Sequence, residues 1–304
     1  MRLSRWGRSP YETVTDIEVE SETLASMVSI VDARSDAEIV VVHSKIPFGS
    51  AELAQSPSTR LVVTTTSGTD HIDLDLMARR GIVVARLPEA RRDAVVDAAL
   101  GMLIWGLRRR GYIESQGRKG VWSRDQLSNI APVGLRGSQI GIVGLGVIGE
   151  QLARVLVTLG CNVFGTDPRG VPDGVTECGI EAMLEQCDAI SFHCDLNPTS
   201  ENLLSAHRLK NAKPGLVVVN TARGGLVDVD AAIAALQSGR LGALALDVFP
   251  EEPFPFISTM ATHPQLLFTP HSAGYHTLLA SKIREGLSNA VGAFVAGKAV
   301  PYVC

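Results

Sequence analysis

The chain has 304 residues, enough for two domains that each bury a core of their own. Apolar residues make up 45 % and charged residues 20 %, with a net charge of −4, which argues against nucleic acid or an anionic membrane as the main partner. The opening residues MRLSRWGRSPYE hold no apolar h-region, and no run reaches the ~18 apolar residues of a membrane span, so neither a signal peptide nor an anchor is expected. The five cysteines form no CxxC pair and the seven histidines show no tight ligand spacing. A cytoplasmic chain with no disulfide framework and no metal site follows as the expectation.

In chain order, strands are expected at 37–42, 60–66 and 81–86. The longest helical pattern, AVVDAALGMLIWGLRRR at 94–110, comes next, and Arg108, Arg109 and Arg110 read as a solvated helix C-terminus. The polar stretch 111–134 reads as an arm or a domain boundary. Further strands are expected at 139–144, 161–167, 188–193, 215–221, 242–248 and 266–271, with helical patterns between them. These runs are β-branched and apolar on both sides, as in buried parallel strands. The alternation of β and α predicts an α/β fold with right-handed crossovers.

The segment GIVGLGVIGE contains Gly144-x-Gly146-x-x-Gly149. A strand pattern precedes it, a helical pattern follows it, and a second strand pattern ends at Asp167, about 20 residues on, which is the spacing of a dinucleotide fold. Gly144 serves the tight turn, Gly146 lets the backbone approach a pyrophosphate, and Gly149 lets helix and strand pack closely. The helix N-terminus offers free N–H groups to that phosphate. Asp167 is expected to accept from both ribose hydroxyls and to repel a 2′-phosphate, which favours NAD over NADP. Arg169 lies two residues beyond it.

Further stretches, VVVNTARGGLVD (217–228), LDVFPEEP (246–253) and TPHSAG (269–274), resemble those of the D-isomer-specific 2-hydroxyacid dehydrogenases. The likeness runs from about residue 38 to 290. It implies two Rossmann-like domains with parallel sheets, the nucleotide-binding domain inserted into the substrate domain. The substrate domain is then 1–95 with 276–304, and the NAD-binding domain 96–275. It implies Arg223 as the substrate-binding arginine, Glu252 and His271 as the acid–base pair, and Asp247 beside the nicotinamide. It also implies cofactor contacts at Val147, Ile148, His193, Cys194, Thr221, Ala222 and Gly274. The residue types suit the chemistry: a guanidinium holds a carboxylate, and a histidine oriented by a carboxylate exchanges a proton near neutral pH.

TTTSGTDHIDLD (64–75) resembles the family loop whose main-chain N–H groups, here of Ser67 and Gly68, receive the substrate carboxylate. TSGTDH, HSAGY and Ser44 resemble the erythronate-4-phosphate dehydrogenases, where positions matching Ser44, Thr66 and Tyr275 contact substrate. With the sequence ending at Cys304, the C-terminal dimerisation region of those enzymes is not expected here. Where the family often reads Gly-x-Asn, this chain has LPEARRDAVVD, and Arg91 or Arg92 is expected to hold a second negative group on the substrate or to lie in solvent. His193-Cys194-Asp195 stands where the family has H-x-P. The reading is an NAD-dependent oxidoreductase, a homodimer, interconverting a 2-hydroxy acid and its 2-keto acid. The alternatives are a 4-phosphoerythronate-type or other phosphorylated 2-hydroxyacid dehydrogenase and, in another class, a non-catalytic NAD-sensing binding protein.

Overall fold

The computed structural model describes residues 3–6, 37–43, 46–255 and 263–304. They form two compact units, one comprising the described residues up to Arg91 together with Tyr275–Cys304, the other Arg92–Gly274. The smaller unit holds a four-stranded parallel sheet in chain order: β1 Leu3–Trp6, β2 Ile39–Val42, β3 Leu61–Thr64 and β4 Val83–Arg86. Val40, Val42, Val62 and Val84 on one face pack with Phe48, with Leu53 of α1 (Ser50–Gln55) and with Met77 of α2 (Leu74–Arg79). Ile39, Val41, Leu61 and Val63 on the other face meet Ile283, Leu287 and Val291 of the helix Leu279–Val295. Alternate residues of β2, β3 and β4 thus enter different cores, so these strands are apolar up to Thr64 and Arg86 at the ends of β3 and β4.

The helix α3, Glu89–Leu107, leads toward the larger unit and is followed by α4, Arg110–Arg118. The larger unit is built on a seven-stranded, wholly parallel sheet in the order β11-β10-β9-β8-β5-β6-β7. These strands are β5 Gln139–Val143, β6 Asn162–Thr166, β7 Val175–Glu177, β8 Ala189–Phe192, β9 Leu216–Asn220, β10 Leu241–Leu246 and β11 Leu266–Phe268. Leu103 and Leu107 of α3 and Leu152 and Leu156 of α5 (Val147–Thr158) cover one face. Met183 and Leu184 of α6 (Ile180–Gln186) and Ile233 and Leu236 of α7 (Val229–Gln237) cover the other. The strand order reverses between β5 and β8. In doubly wound sheets a ligand crevice opens outside the carboxyl ends of the strands at this point.

Two local differences from the sequence reading have clear causes. The long helix begins at Glu89, just after Pro88, and stops at Leu107 rather than running to 110. Arg109 takes a left-handed φ of 52° and donates Nη2–H to the Gly215 carbonyl at 2.8 Å, so this arginine is tied to the unit's main chain rather than solvated. Burial of its guanidinium lowers its pKa. The polar stretch after it is helical over 110–118 and 123–130 in short pieces, and the Tyr112 N–H donates to the Gln265 side chain at 2.6 Å. No described helix is long and apolar enough to cross a membrane.

Candidate active site

The larger-unit residues expected to bind cofactor or substrate or to catalyse lie in the loops that follow strands at their carboxyl ends, except those that open α5 and Arg92 on α3. The turn after β5 places Gly144 at φ +89°, and α5 begins at Gly146 with no side chain capping its first turn. A Cβ at Gly149 would stand 2.0 Å from the Gly144 carbonyl oxygen, so only glycine lets the helix start this close to the strand. A Cβ at Gly144 would stand 2.5 Å from the Cys194 nitrogen, so the loop after β8 packs directly on the turn. His193 Nε2 contacts Ser191 Oγ at 2.8 Å, and burial lowers the imidazolium pKa to about 4, which leaves the ring neutral at physiological pH. Burial pushes the Cys194 thiol up to about 11.

Asp167, just past the end of β6, has a nearly buried side chain, 7 % exposed. Its Oδ2 accepts the Leu145 N–H at 2.8 Å and Arg169 Nη2–H at 3.0 Å, and its Oδ1 accepts Arg169 Nε–H at 2.9 Å and the Arg169 main-chain N–H at 3.0 Å. The carboxylate therefore already holds the middle of the glycine turn as well as a guanidinium. The Arg169 hydrogen bond above all, with the main-chain donors, lowers its pKa to about 2. The residues fit a dinucleotide on the structure's own evidence. The first turn of α5 is uncapped, the turn before it excludes side chains, and the buried Thr221 Oγ1 has no hydrogen-bond partner among the described residues.

At the end of β9, the fully buried Asn220 was not singled out from the sequence. Its Nδ2–H donates to the Arg223 carbonyl at 2.8 Å and its Oδ1 accepts the Ala222 N–H at 3.0 Å, which fixes the main chain that presents Arg223. Its signal in the sequence was a polar residue closing an otherwise apolar strand. Arg223 Nη1–H donates to the Ala222 carbonyl at 2.7 Å. Gly224 follows because a Cβ there would stand 1.9 Å from the Phe249 carbonyl carbon. The strand-β9 and strand-β10 loops are thereby in direct contact.

Beyond β10, the Phe249 N–H donates to Glu252 Oε1 at 3.1 Å, and Glu252 Oε2 lies 2.8 Å from His271 Nδ1. The pair joins residues 19 apart in sequence and is half-exposed, at 36 % for Glu252 and 53 % for His271. With Nδ1 engaged, Nε2 of His271 is the ring nitrogen left for a reacting group. His271 has a φ of +53°, uncommon for a residue with a side chain. Asp247, 1 % exposed, holds this conformation. Its Oδ1 accepts the Ser272 N–H at 2.8 Å and the Thr269 hydroxyl, its Oδ2 accepts the Ala273 N–H at 2.9 Å, and its carbonyl accepts the His271 N–H at 2.7 Å. Gly274 closes the same loop. Among the described residues no cluster of His, Cys, Asp or Glu can hold a metal ion.

In the smaller unit, Thr66, Ser67 and Gly68 form the turn after β3, and Tyr275 is 57 % exposed. Ser44 lies outside the described residues. Arg92 pairs with Asp93 at 2.8 Å, and the Arg91 guanidinium donates to the Thr65 carbonyl.

Two outcomes follow from this geometry. Asp247→Ala strands the Ala273 N–H and its neighbours, so the chain should lose about 1–3 kcal/mol of stability. Denaturant unfolding measures this, and an unchanged midpoint would contradict the anchoring role. The second concerns acid. The folded pKa of Asp167 is depressed, so its stabilisation is complete above the ordinary value of 3.8 and is lost as pH falls through about 2. Arg169→Ala removes the largest cause of that depression. The variant should be less stable than wild type at neutral pH, and the gap should close on acidification toward about 2. A gap independent of pH would show that the pair does not act through the carboxylate charge.

Comparison with known proteins gives the family. A family model described as "D-isomer specific 2-hydroxyacid dehydrogenase, NAD binding domain" matches residues 100–273. Glycerate dehydrogenase of Methylorubrum extorquens is 32 % identical over 288 residues, covering 92 % of this chain and 89 % of that protein. D-3-phosphoglycerate dehydrogenase of Mycobacterium leprae is 30 % identical over 271 residues, covering 88 % of this chain and 51 % of that protein. The chain spans 49 % to 65 % of the length of three such phosphoglycerate dehydrogenases. Among solved structures, D-lactate dehydrogenase from Aquifex aeolicus, complexed with NAD and lactic acid, superposes with a TM-score of 0.81 at 27 % identity, covering 98 % of this chain and 96 % of that one. The chain belongs to the D-isomer-specific 2-hydroxyacid dehydrogenase family, and its larger unit is that family's NAD-binding domain.

Proposed function

We propose that this protein interconverts a 2-hydroxy acid and its 2-keto acid, with NAD as the redox cofactor. The observation that supports this most is the 2.8 Å contact of His271 Nδ1 with Glu252 Oε2, at the same sheet edge as the glycine turn and Arg223. When bound, the nicotinamide gives or takes the hydride at the substrate's C2. Arg223 is assigned to the substrate's carboxylate and carbonyl oxygen. Its guanidinium stays charged, offers paired donors and stabilises the negative charge that grows on that oxygen. In reduction, His271 acts as an imidazolium that donates Nδ1–H to Glu252 and passes the Nε2 proton to the carbonyl oxygen. In oxidation, the neutral ring takes the hydroxyl proton back. Glu252 orients the ring through Nδ1.

Gly144, Gly146, Val147, Ile148 and Gly149 are assigned to the pyrophosphate, and His193, Cys194, Thr221, Ala222 and Gly274 to further cofactor contacts. Asp167 is assigned to the ribose. Its carboxylate is already engaged by Arg169, so ribose binding requires that exposed side chain to share or leave. Asp247 is assigned beside the nicotinamide, and both its oxygens are engaged in holding the His271 loop. Ser44, Thr66, Ser67, Gly68 and Tyr275 are assigned to the substrate. A cytoplasmic homodimer is part of this reading, and Trp122, 85 % exposed, offers apolar surface to a second copy.

The test is NADH oxidation with glyoxylate, pyruvate, oxaloacetate, hydroxypyruvate and phosphorylated hydroxypyruvate. The last two are included because relatives are named glycerate and D-3-phosphoglycerate dehydrogenases. At least one of them should be reduced, with NADH preferred to NADPH. Asp167→Ala should weaken NADH binding and relax that preference. His271→Ala should lose about 10²–10⁴-fold in kcat with NADH affinity unchanged. Full turnover by the His271 variant, or NADPH preferred by wild type, would contradict the respective assignments.

A further inference from the structure

The turn after β3 is chemically one-sided. All four of its carbonyls accept hydrogen bonds: Thr65 O from the Arg91 guanidinium, Thr66 O from the Leu87 N–H at 3.1 Å, Ser67 O from Arg86 Nη1–H at 3.2 Å, and Gly68 O from the Thr66 hydroxyl at 3.0 Å. Among the described residues, none accepts from the N–H groups of Thr66, Ser67 or Gly68. The buried Thr65 hydroxyl also has no partner there. The last main-chain donor of this run with a partner is Thr65 N–H, which donates to Val42 O at 3.1 Å. What the turn leaves for a ligand is therefore donors only, three in a row, with two cations drawn onto its carbonyls from the end of β4 and the first turn of α3.

We propose that Arg86 and Arg91 are positioning residues for the substrate carboxylate, acting through the main chain of residues 65–68 rather than by touching the substrate. The carbonyl of Thr65 belongs to the same peptide unit as the N–H of Thr66, and the carbonyl of Ser67 to the same unit as the N–H of Gly68. A guanidinium donating to a carbonyl draws electron density along that unit and makes its N–H a stronger donor. It also stops the peptide from rotating its oxygen toward an incoming anion. Arg91 opens its helix with the wrong sign for the helix dipole. The Thr65 carbonyl supplies a reason for a cation there that needs no second anionic group on the substrate. The proposal rests on the reading that the protein acts on a 2-keto or 2-hydroxy carboxylate.

The test uses Arg86→Ala, Arg91→Ala and Arg91→Lys in the full chain, with two readouts. In kinetics, each alanine variant should raise KM for glyoxylate about tenfold, equivalent to about 1.4 kcal/mol, with kcat and the KM for NADH unchanged. Phosphorylated hydroxypyruvate should suffer the same factor, and the lysine variant should recover most of the loss. In amide NMR, oxamate should shift the Thr66, Ser67 and Gly68 resonances of wild type. The Gly68 amide proton should move upfield in Arg86→Ala and that of Thr66 in Arg91→Ala. A KM rise confined to the phosphorylated substrate overturns the proposal, because the arginines then bind a second anion directly. So does a joint fall of kcat and NADH affinity, which marks a merely structural role. If wild type reduces no keto acid while oxamate shifts these amides and the variants weaken that binding, the dehydrogenase reading fails and this inference stands. Reduction by wild type with silent amides sinks the inference alone.

Discussion

Asp247 is a carboxylate buried to 1 % exposure at the end of a central strand, and a buried charge persists only when its oxygens are satisfied. Here the main chain of residues 272 and 273 and the Thr269 hydroxyl satisfy it, and the carbonyl of the same residue takes the His271 N–H. The loop after β11 cannot relax without leaving that charge unpaired. His271 therefore keeps a left-handed backbone and meets Glu252 across 19 residues of sequence. The sheet supplies rigidity, and the aspartate transmits it to the proton-handling pair.

The same device recurs twice along this edge. Asp167 past β6 takes the Leu145 N–H of the glycine turn, and Asn220 at the end of β9 brackets the main chain of Ala222 and Arg223. In each case a short polar side chain at or just beyond the end of a buried strand fixes a loop by its main chain. The loops of the candidate site are thus held by hydrogen bonds to the sheet's own residues. In the smaller unit the arrangement is inverted, because there the side chains of Arg86 and Arg91 take the carbonyls of a turn and leave its N–H groups for an anion. Three of these four devices are built from residues within a few positions of a strand end, where backbone placement is most constrained.

Much of the architecture was legible because the strands are apolar on both faces. β2 to β6, β8, β9 and β11 fall inside the runs read from sequence, and β10 begins one residue ahead of its run, at Leu241. β7, Val175–Glu177, was missed because it is a three-residue edge strand, partly exposed and partly polar. The helical pieces between 110 and 130 were missed because they are short and α4 buries no residue. In the site, residue identities were legible and their bonding was not. Asp167 was read as open to a ribose, yet its oxygens are occupied by Leu145 and Arg169. Arg91 donates to the Thr65 carbonyl, a main-chain partner the sequence reading did not foresee. Main-chain partners of this kind depend on how distant segments are brought together, and no spacing along the chain encodes them.

In the proposed reaction a hydride passes between the nicotinamide and C2 of a 2-keto acid. Its most direct test is isotope transfer. Wild-type protein is incubated with a 2-keto acid of the panel that it reduces and NADH carrying deuterium at both C4 positions, and the hydroxy acid is analysed by mass spectrometry and chiral chromatography. The account predicts one deuterium bonded to C2 and a single D-configured product. A product without deuterium at C2, or an L-configured one, would contradict it.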